Sequence, residues 1–385
     1  MNDNHIRARL RSIAPPDELQ AQRRVWNVVR AAFAEREPVS WPRRHTRPLL
    51  LAAAVAAVIA AAVTPPGRAV LGSIRDAVGR ERVKPSKAAL VSLPGGGRVL
   101  VAAPSGAWVV FSNGSRRMVG DYATAAWSPH GLYAVGTRAH ELSAFEPYGK
   151  GRVHWAIART GAVQDARWSP DGYRVAYRAG RELRIVAGDG TNDHALARAA
   201  PVAPAWRPTS GHVLAYVMPT GQVAVVDADS GRAFWRARGQ APVRSLAWSG
   251  DGRRLLIAGR TSLRVLAASG RPVGAFRAKG PIRAAEFAPG SHRLGFVLGG
   301  RGSTIFVADA DRFRRSAKIV FSGAGTMSDL AWSPDAHWLL VGWASADQWL
   351  FIHSAPVKKI VAFSNVTREF GGTAFPRIEG WCCAS

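Results

Sequence analysis

The sequence predicts an all-β protein: a seven-bladed β-propeller, with six blades as the alternative count, preceded by an N-terminal helix and a single transmembrane helix. Three observations lead there. A turn built on an aromatic residue recurs about every 40 residues between Trp127 and Trp332. Short apolar runs separated by Gly, Pro and Asp fill each interval. One uncharged apolar segment lies upstream of the first copy.

In chain order, residues 1–47 read as a short cytoplasmic tail with one amphipathic helix. Pro15, Pro16, Asp17 and Glu18 supply start signals, since acidic groups suit the positive end of a helix. From there to about Arg36, Leu19, Val25, Trp26, Val29, Ala32 and Phe33 can share one face. Residues 48–66, PLLLAAAVAAVIAAAVTPP, are expected to cross the membrane. A bilayer core about 30 Å thick needs about 20 helical residues, with about 17 as the lower limit. The run from Leu49 to Val63 is uncharged, bounded by Arg43, Arg44 and Arg47 before it and Pro65 and Pro66 after it. Apolar residues all round the helix leave no face for water, and so long a preceding tail does not suit a cleaved leader. Arginines cluster more closely on its N-terminal side, which favours a cytoplasmic N-terminus and an extracytoplasmic propeller in the cell membrane. Residues 67–87, with Val70, Leu71, Ile74 and Val78, read as a stalk or linker.

Residues 88–385 carry the repeats. Trp127, Trp168, Trp206, Trp248, Phe287 and Trp332 align, and the turn following each has a recurring composition. Pro129 and Gly131, then Pro170, Asp171 and Gly172, then Asp251 and Gly252, then Pro334 and Asp335 occupy it. Pro suits the fixed φ of an early turn position, and Gly suits the left-handed one. After each turn comes a second strand, such as YRVAYRA (173–179) or RLLIAG (254–259), and then a third, such as ELRIVA (182–187) or SLRVLA (262–267). Four antiparallel strands cannot hide both faces alone, so such units stack, and a closed ring leaves no long exposed edge. Three strands upstream, within 97–122, lack an aromatic-turn start, while RIEGWCC (377–383) is an innermost strand with no blade after it. Joining them makes the seventh blade, with Trp381 at the repeat position.

The Trp168-Ser169-Pro170-Asp171-Gly172 turn followed by an apolar strand resembles the WD-repeat-like propellers of the Tol-system periplasmic type. The resemblance covers about residues 88–385, and Trp332-Ser333-Pro334-Asp335 lacks only the Gly. His130 and Gly250 depart from the pattern, the Phe287 copy is more divergent, and the Gly-His and Trp-Asp dipeptides of true WD repeats are missing. Such propellers include protein-binding platforms, peptidase accessory domains and sugar-acting enzymes, so the resemblance implies the fold and leaves activity open. The layout of tail, span and propeller looks like membrane-anchored propeller proteins of actinobacterial type.

Composition narrows the function. The 385 residues are 47% hydrophobic, enough for a sizeable core. The two cysteines, Cys382 and Cys383, are adjacent, which excludes a disulfide framework. Two thiols are expected, because a bridge between neighbours is strained. The net charge of +26 comes without a dense block of like charge, and only seven of the 52 basic residues are Lys. Arg-rich coding accounts for that balance, and nucleic acid is not the expected partner. None of the ten His falls in a zinc-ligand spacing, and no nucleophile elbow or phosphate-binding loop occurs. DGTND (189–193) and DADSG (227–231) crowd oxygen ligands but recur after third strands, as turn residues do. No catalytic residue, metal or cofactor is nominated. The seven aromatics and the turn residues are read as structural.

The expected function is a membrane-tethered, non-enzymatic scaffold that binds a protein or cell-envelope component. The alternatives are a propeller hydrolase or lyase with carboxylates converging on the central channel, and a platform for polyanions.

Overall fold

Seven four-stranded antiparallel sheets make up the computed structural model, which describes residues 92–148, 151–208, 211–238, 242–354 and 359–383. Strands are numbered β1 to β28 in chain order. The innermost strands of blades 2 to 7 are β4 (Thr124–Trp127), β8 (Val163–Trp168), β12 (Ala205–Trp206), β16 (Val243–Trp248), β20 (Ile282–Phe287) and β24 (Leu330–Trp332). Blade 1 is composite. Its innermost strand is β28 (Arg377–Cys382), which pairs antiparallel with β1 (Arg98–Ala103), and β2 (Gly106–Val110) and β3 (Arg116–Gly120) complete it. Val99 lies opposite Trp381, so the two ends of the described chain are zipped into one sheet. The count is seven, not six.

Side-chain alternation explains why the blades stack. Successive residues of a strand point to opposite faces. Thus Val99 and Val101 pack toward blade 7 while Leu100 packs toward blade 2. Val175 and Tyr177 face blade 2, and Ala176 faces blade 4. Leu255 and Ile257 face blade 4, and Leu256 and Ala258 face blade 6. Strands covered on both faces are apolar throughout, as VLAYV (Val213–Val217) and WLLVGW (Trp338–Trp343) are, whereas the outermost VHWAIA (Val153–Ala158) alternates with exposed positions. The core is therefore a set of seven apolar layers, one per seam. Short helices interrupt the pattern at α1 (Phe313–Ser316), inside blade 6, and α2 (Val366–Glu369), before β28.

Each innermost strand runs from an entry face of the ring to an exit face, where the aromatic turn sends the chain outward. Gly172 takes φ +79° there, and in the copy without Gly, Ala336 takes φ +59° in its place. The cysteines correct one expectation: Cys382 and Cys383 form a vicinal disulfide, and no free thiol is left among the described residues. Both sulfurs end beside Gly131 at the seam of blades 1 and 2. The tail helix, the span at 48–66 and the stalk lie outside the described residues. Among those described, no helix is long and apolar enough to cross a membrane.

Candidate functional site

The repeat aromatics come first, because they place everything else. Each sits at or next to the exit end of an innermost strand. The Trp206 indole donates to the Arg167 carbonyl of the preceding blade at 2.9 Å, Trp332 to Glu286 at 3.0 Å, and Trp127 to Gly380 at 3.4 Å. In all three the acceptor immediately precedes the neighbouring blade's own aromatic. Trp381 donates instead to the Gly96 carbonyl at 2.8 Å. Phe287 has no ring N–H, and the buried Nε1 atoms of Trp168 and Trp248 have no partner among the described residues. Seam hydrogen bonds thus come from some copies and not others.

The turns contain a residue the sequence reading passed over. Ser169 is fully buried, donates to Asp171 Oδ1 at 2.6 Å and accepts the Arg174 backbone N–H at 2.9 Å. Ser249 repeats this with Asp251 and Arg254, and Ser333 with Asp335 and Trp338. In blade 2 Ser128 holds the Tyr133 N–H at 3.0 Å, with His130 where the acid would stand. The signal was the Ser that follows four of the aromatics. Pro129, Pro170 and Pro334 sit beside these serines, and Gly131, Gly172 and Gly252 all have positive φ.

From these turns the acids reach the next blade. His212 of blade 4 lies between Asp171 of blade 3, at 2.7 Å from Nε2, and Asp229 of its own blade on Nδ1. Arg174 completes the group 3.0 Å from Asp229. The arrangement returns between blades 5 and 6: His292 lies 2.9 Å from Asp251 and 2.7 Å from Asp311, with Arg254 2.5 Å from Asp311. Burial opposes the charge on each imidazole, but the hydrogen bonds and charges of its two carboxylates outweigh it, so both His are shifted above their ordinary pKa. Asp251 is correspondingly held at about 2: burial pushes it up, and its bonds from Ser249, Arg253 and His292 pull it further down. Both ring nitrogens face carboxylates, so each His must donate twice, which only the imidazolium does.

Between blades 2 and 3 the exit face is open instead. A groove of about 610 Å³ is lined by Tyr133, His154, Trp155, Trp168 and Tyr173, with Arg174 and Asp189 at its polar side. Tyr133 meets His154 edge-on at 5.0 Å, and the Trp155 indole spans the seam to the Gly188 carbonyl at 2.9 Å. Tyr173 is 69% exposed and Leu132 60%.

The central channel gathers a third set. Arg167 acts electrostatically on both Glu286 and Glu379, from blades 6 and 1, with which blade 3 shares no seam, so only the channel separates them. Burial pushes the Glu286 carboxyl up to about 8 against the pull of Arg167. Burial also raises Asp329 and Glu379, with Arg377 pulling both the other way. Protein crowds Glu286 on every side, yet a narrow opening to solvent remains. Its carboxyl makes no hydrogen bond or ion pair among the described residues. The two acidic turns considered for metals are satisfied internally: Asp189 accepts from Thr191, and Asp227 from Asp229 and Ser230. No group of three or more His, Cys, Asp or Glu among the described residues is placed to hold a metal.

No family model matches the chain, and no curated protein does. Among solved structures it is similar to Kuenenia stuttgartiensis hydrazine synthase, at 11% identity and a TM-score of 0.48, over 60% of this chain and 76% of that one. A likeness that faint says nothing of chemistry, which has to be read from the residues.

Proposed function

We propose that the chain is a membrane-tethered binding scaffold of the Tol-like propeller type, not an enzyme, held outside the cytoplasm by the apolar segment at 48–66. Its partner is a protein or cell-envelope component that docks on the exit face between blades 2 and 3. One observation supports this above the rest: exposed Leu132, Tyr133, Val153 and Tyr173 gather around that groove. Exposed large apolar side chains cost solvation unless something covers them, and aromatic rings on loops of a rigid ring suit recognition. A second reading, a propeller enzyme working in the channel, draws on the unpaired Glu286 carboxyl facing Arg167.

One experiment separates the two. A photo-crosslinking amino acid is placed at Tyr173, at Arg253 (the equivalent turn position of blade 5) or at Arg167 in the full-length chain in its native membrane. The scaffold reading expects a discrete adduct at Tyr173 alone. Equal adducts at Tyr173 and Arg253 would remove it, and small-molecule adducts confined to Arg167 would favour the channel.

A further inference from the structure

The +26 charge looks diffuse along the chain, but the fold sorts it. On the exit face the turn acids Asp171, Asp229, Asp251 and Asp311 lie against Arg and His partners. The entry face of blades 4 to 6 has no such balance. Between Ser230 and Ala308 the chain holds fourteen basic residues and two acids, and of the basic ones Arg232, Arg253, Arg254, Arg271 and Arg293 lie at exit-face turns. Of these acids Asp251 belongs to an exit-face turn and Glu286 to the channel.

Backbone register places the basic residues together. Val243 opposes Gly259, Ser262 opposes Arg277 and Ile282 opposes Leu298, so the strand ends and hairpins around them share one end of the ring. The Ile282 N–H donates to the Arg260 carbonyl at 2.7 Å, bringing the tip of blade 5 against the start of blade 6. Arg244, Arg260, Arg277, Lys279, Arg283 and Arg301 are all exposed there. Among the described residues none of the six makes an ion pair. Unpaired like charges gathered at one end of the ring repel, and a polyanion relieves that repulsion by neutralising them.

A cavity adds a second, independent feature. The 300–301 hairpin tip of blade 6 borders a hollow of about 410 Å³ lined by Gly299, Gly300, Gly302, Ser303, Thr304 and Ser322, with Arg301 at its edge and no carboxylate in the lining. Ser322 donates to Thr304 Oγ1, which leaves the Thr304 hydroxyl hydrogen free to donate. The uncrowded Gly300 at the hairpin tip, a free hydroxyl and a guanidinium fork make a set suited to one phosphate group.

We infer that the entry face of blades 4 to 6 binds a linear phosphate-bearing polymer without nucleobases, seating one phosphate in the blade 6 hollow and running others past the arginines of blade 5. None of the large apolar side chains exposed among the described residues comes from these entry-face strand ends or hairpins, so nothing there would insert into lipid. The inference rests on the scaffold reading but uses the opposite face of the ring.

The test uses the full-length protein and inorganic polyphosphate, with phosphatidylglycerol vesicles and a single-stranded oligonucleotide as separate arms. Six contacts predict affinity for polyphosphate falling about 1000-fold between about 50 and about 200 mM salt. Arg260→Gln, Arg277→Gln, Lys279→Gln and Arg283→Gln combined should weaken binding at least tenfold, by about the loss of four charges, and flatten that salt slope. The same charge removal on the exit face, at Arg232, Arg253, Arg271 and Arg312, should leave binding within about twofold. Equal losses in the two variants would overturn the inference, as would binding of vesicles or oligonucleotide in preference to polyphosphate. Crosslinking at Tyr173 in the entry-face variant keeps the two proposals apart, since the scaffold reading expects it unchanged.

Discussion

The seam between blades 2 and 3 and the seam between blades 3 and 4 start from the same serine-held turn and end in opposite surfaces. Blade 3 offers Asp171 and Arg174 to its neighbour and closes an ionic bridge onto His212 and Asp229. Blade 2 has His130 and Tyr133 at those two positions, so no charge pair forms at the turn, and the rings of Tyr133, His154 and Tyr173 border an open groove, while Arg159 of blade 2 pairs with Asp193 of blade 3 elsewhere on the seam. A third position differs too, with Tyr173 on blade 3 where blade 4 has His212, and these side chains decide whether the exit end of a seam is a clamp or a surface. The ionic version returns 80 residues later, at Asp251, Arg254 and His292, as though the ring were built from pairs of blades.

The largest effect is expected where closure depends on neither device. Truncation at Gly372 removes β28 and with it the Trp381 layer between blades 7 and 1. Thermal unfolding should lose its single cooperative transition; one sharp transition persisting would mean the ring does not rely on that strand.

Next in size is the ionic clamp. A His whose folded pKa lies above its unfolded value near 6.5 binds the proton more tightly when folded. Its stabilisation is fully present below that unfolded value and disappears as pH rises through the raised folded one. His212→Asn with His292→Asn should cost about 2–4 kcal/mol in urea unfolding at pH 6 and little once both His are neutral. Tyr133→Phe in the aromatic seam should leave the pH dependence untouched. An equal slope in the His variant and wild type would break the contrast.

The smallest effect concerns the indoles. Trp206→Phe loses the bond to the Arg167 carbonyl and should cost about 1 kcal/mol. At Trp168 the N–H is buried without a partner among the described residues, so Trp168→Phe should cost less than Trp206→Phe by about the value of that hydrogen bond. Matching losses in denaturant titrations would show that packing, not the hydrogen bond, sets the value of Trp at this position.

Much of the frame could be read in one dimension. The aromatic turns and the unmatched C-terminal strand pointed to seven blades and to closure by residues 377–383, because strand periodicity and turn chemistry are local properties. The site was far less visible. Asp171 was legible as a turn residue, but its hold on His212 spans 41 residues and two blades. Glu286, Asp329 and Glu379 carry no motif, and Arg167 meets two of them only across the channel. The cysteine pair, expected as two thiols, forms a disulfide whose sulfurs lie beside Gly131 of another blade.

The sequence by itself determined the blade and its repetition: alternating apolar residues specify a thin sheet covered on both faces, and such sheets must stack. Tertiary structure alone decided what the surfaces became. Charges that look evenly spread along the chain separate, in blades 4 to 6, into exit-face acids held by Arg and His and an entry face of unpaired basic residues, because antiparallel strands send successive turns to opposite ends. Electrostatic interaction depends on distance in space, and sequence separation does not supply it.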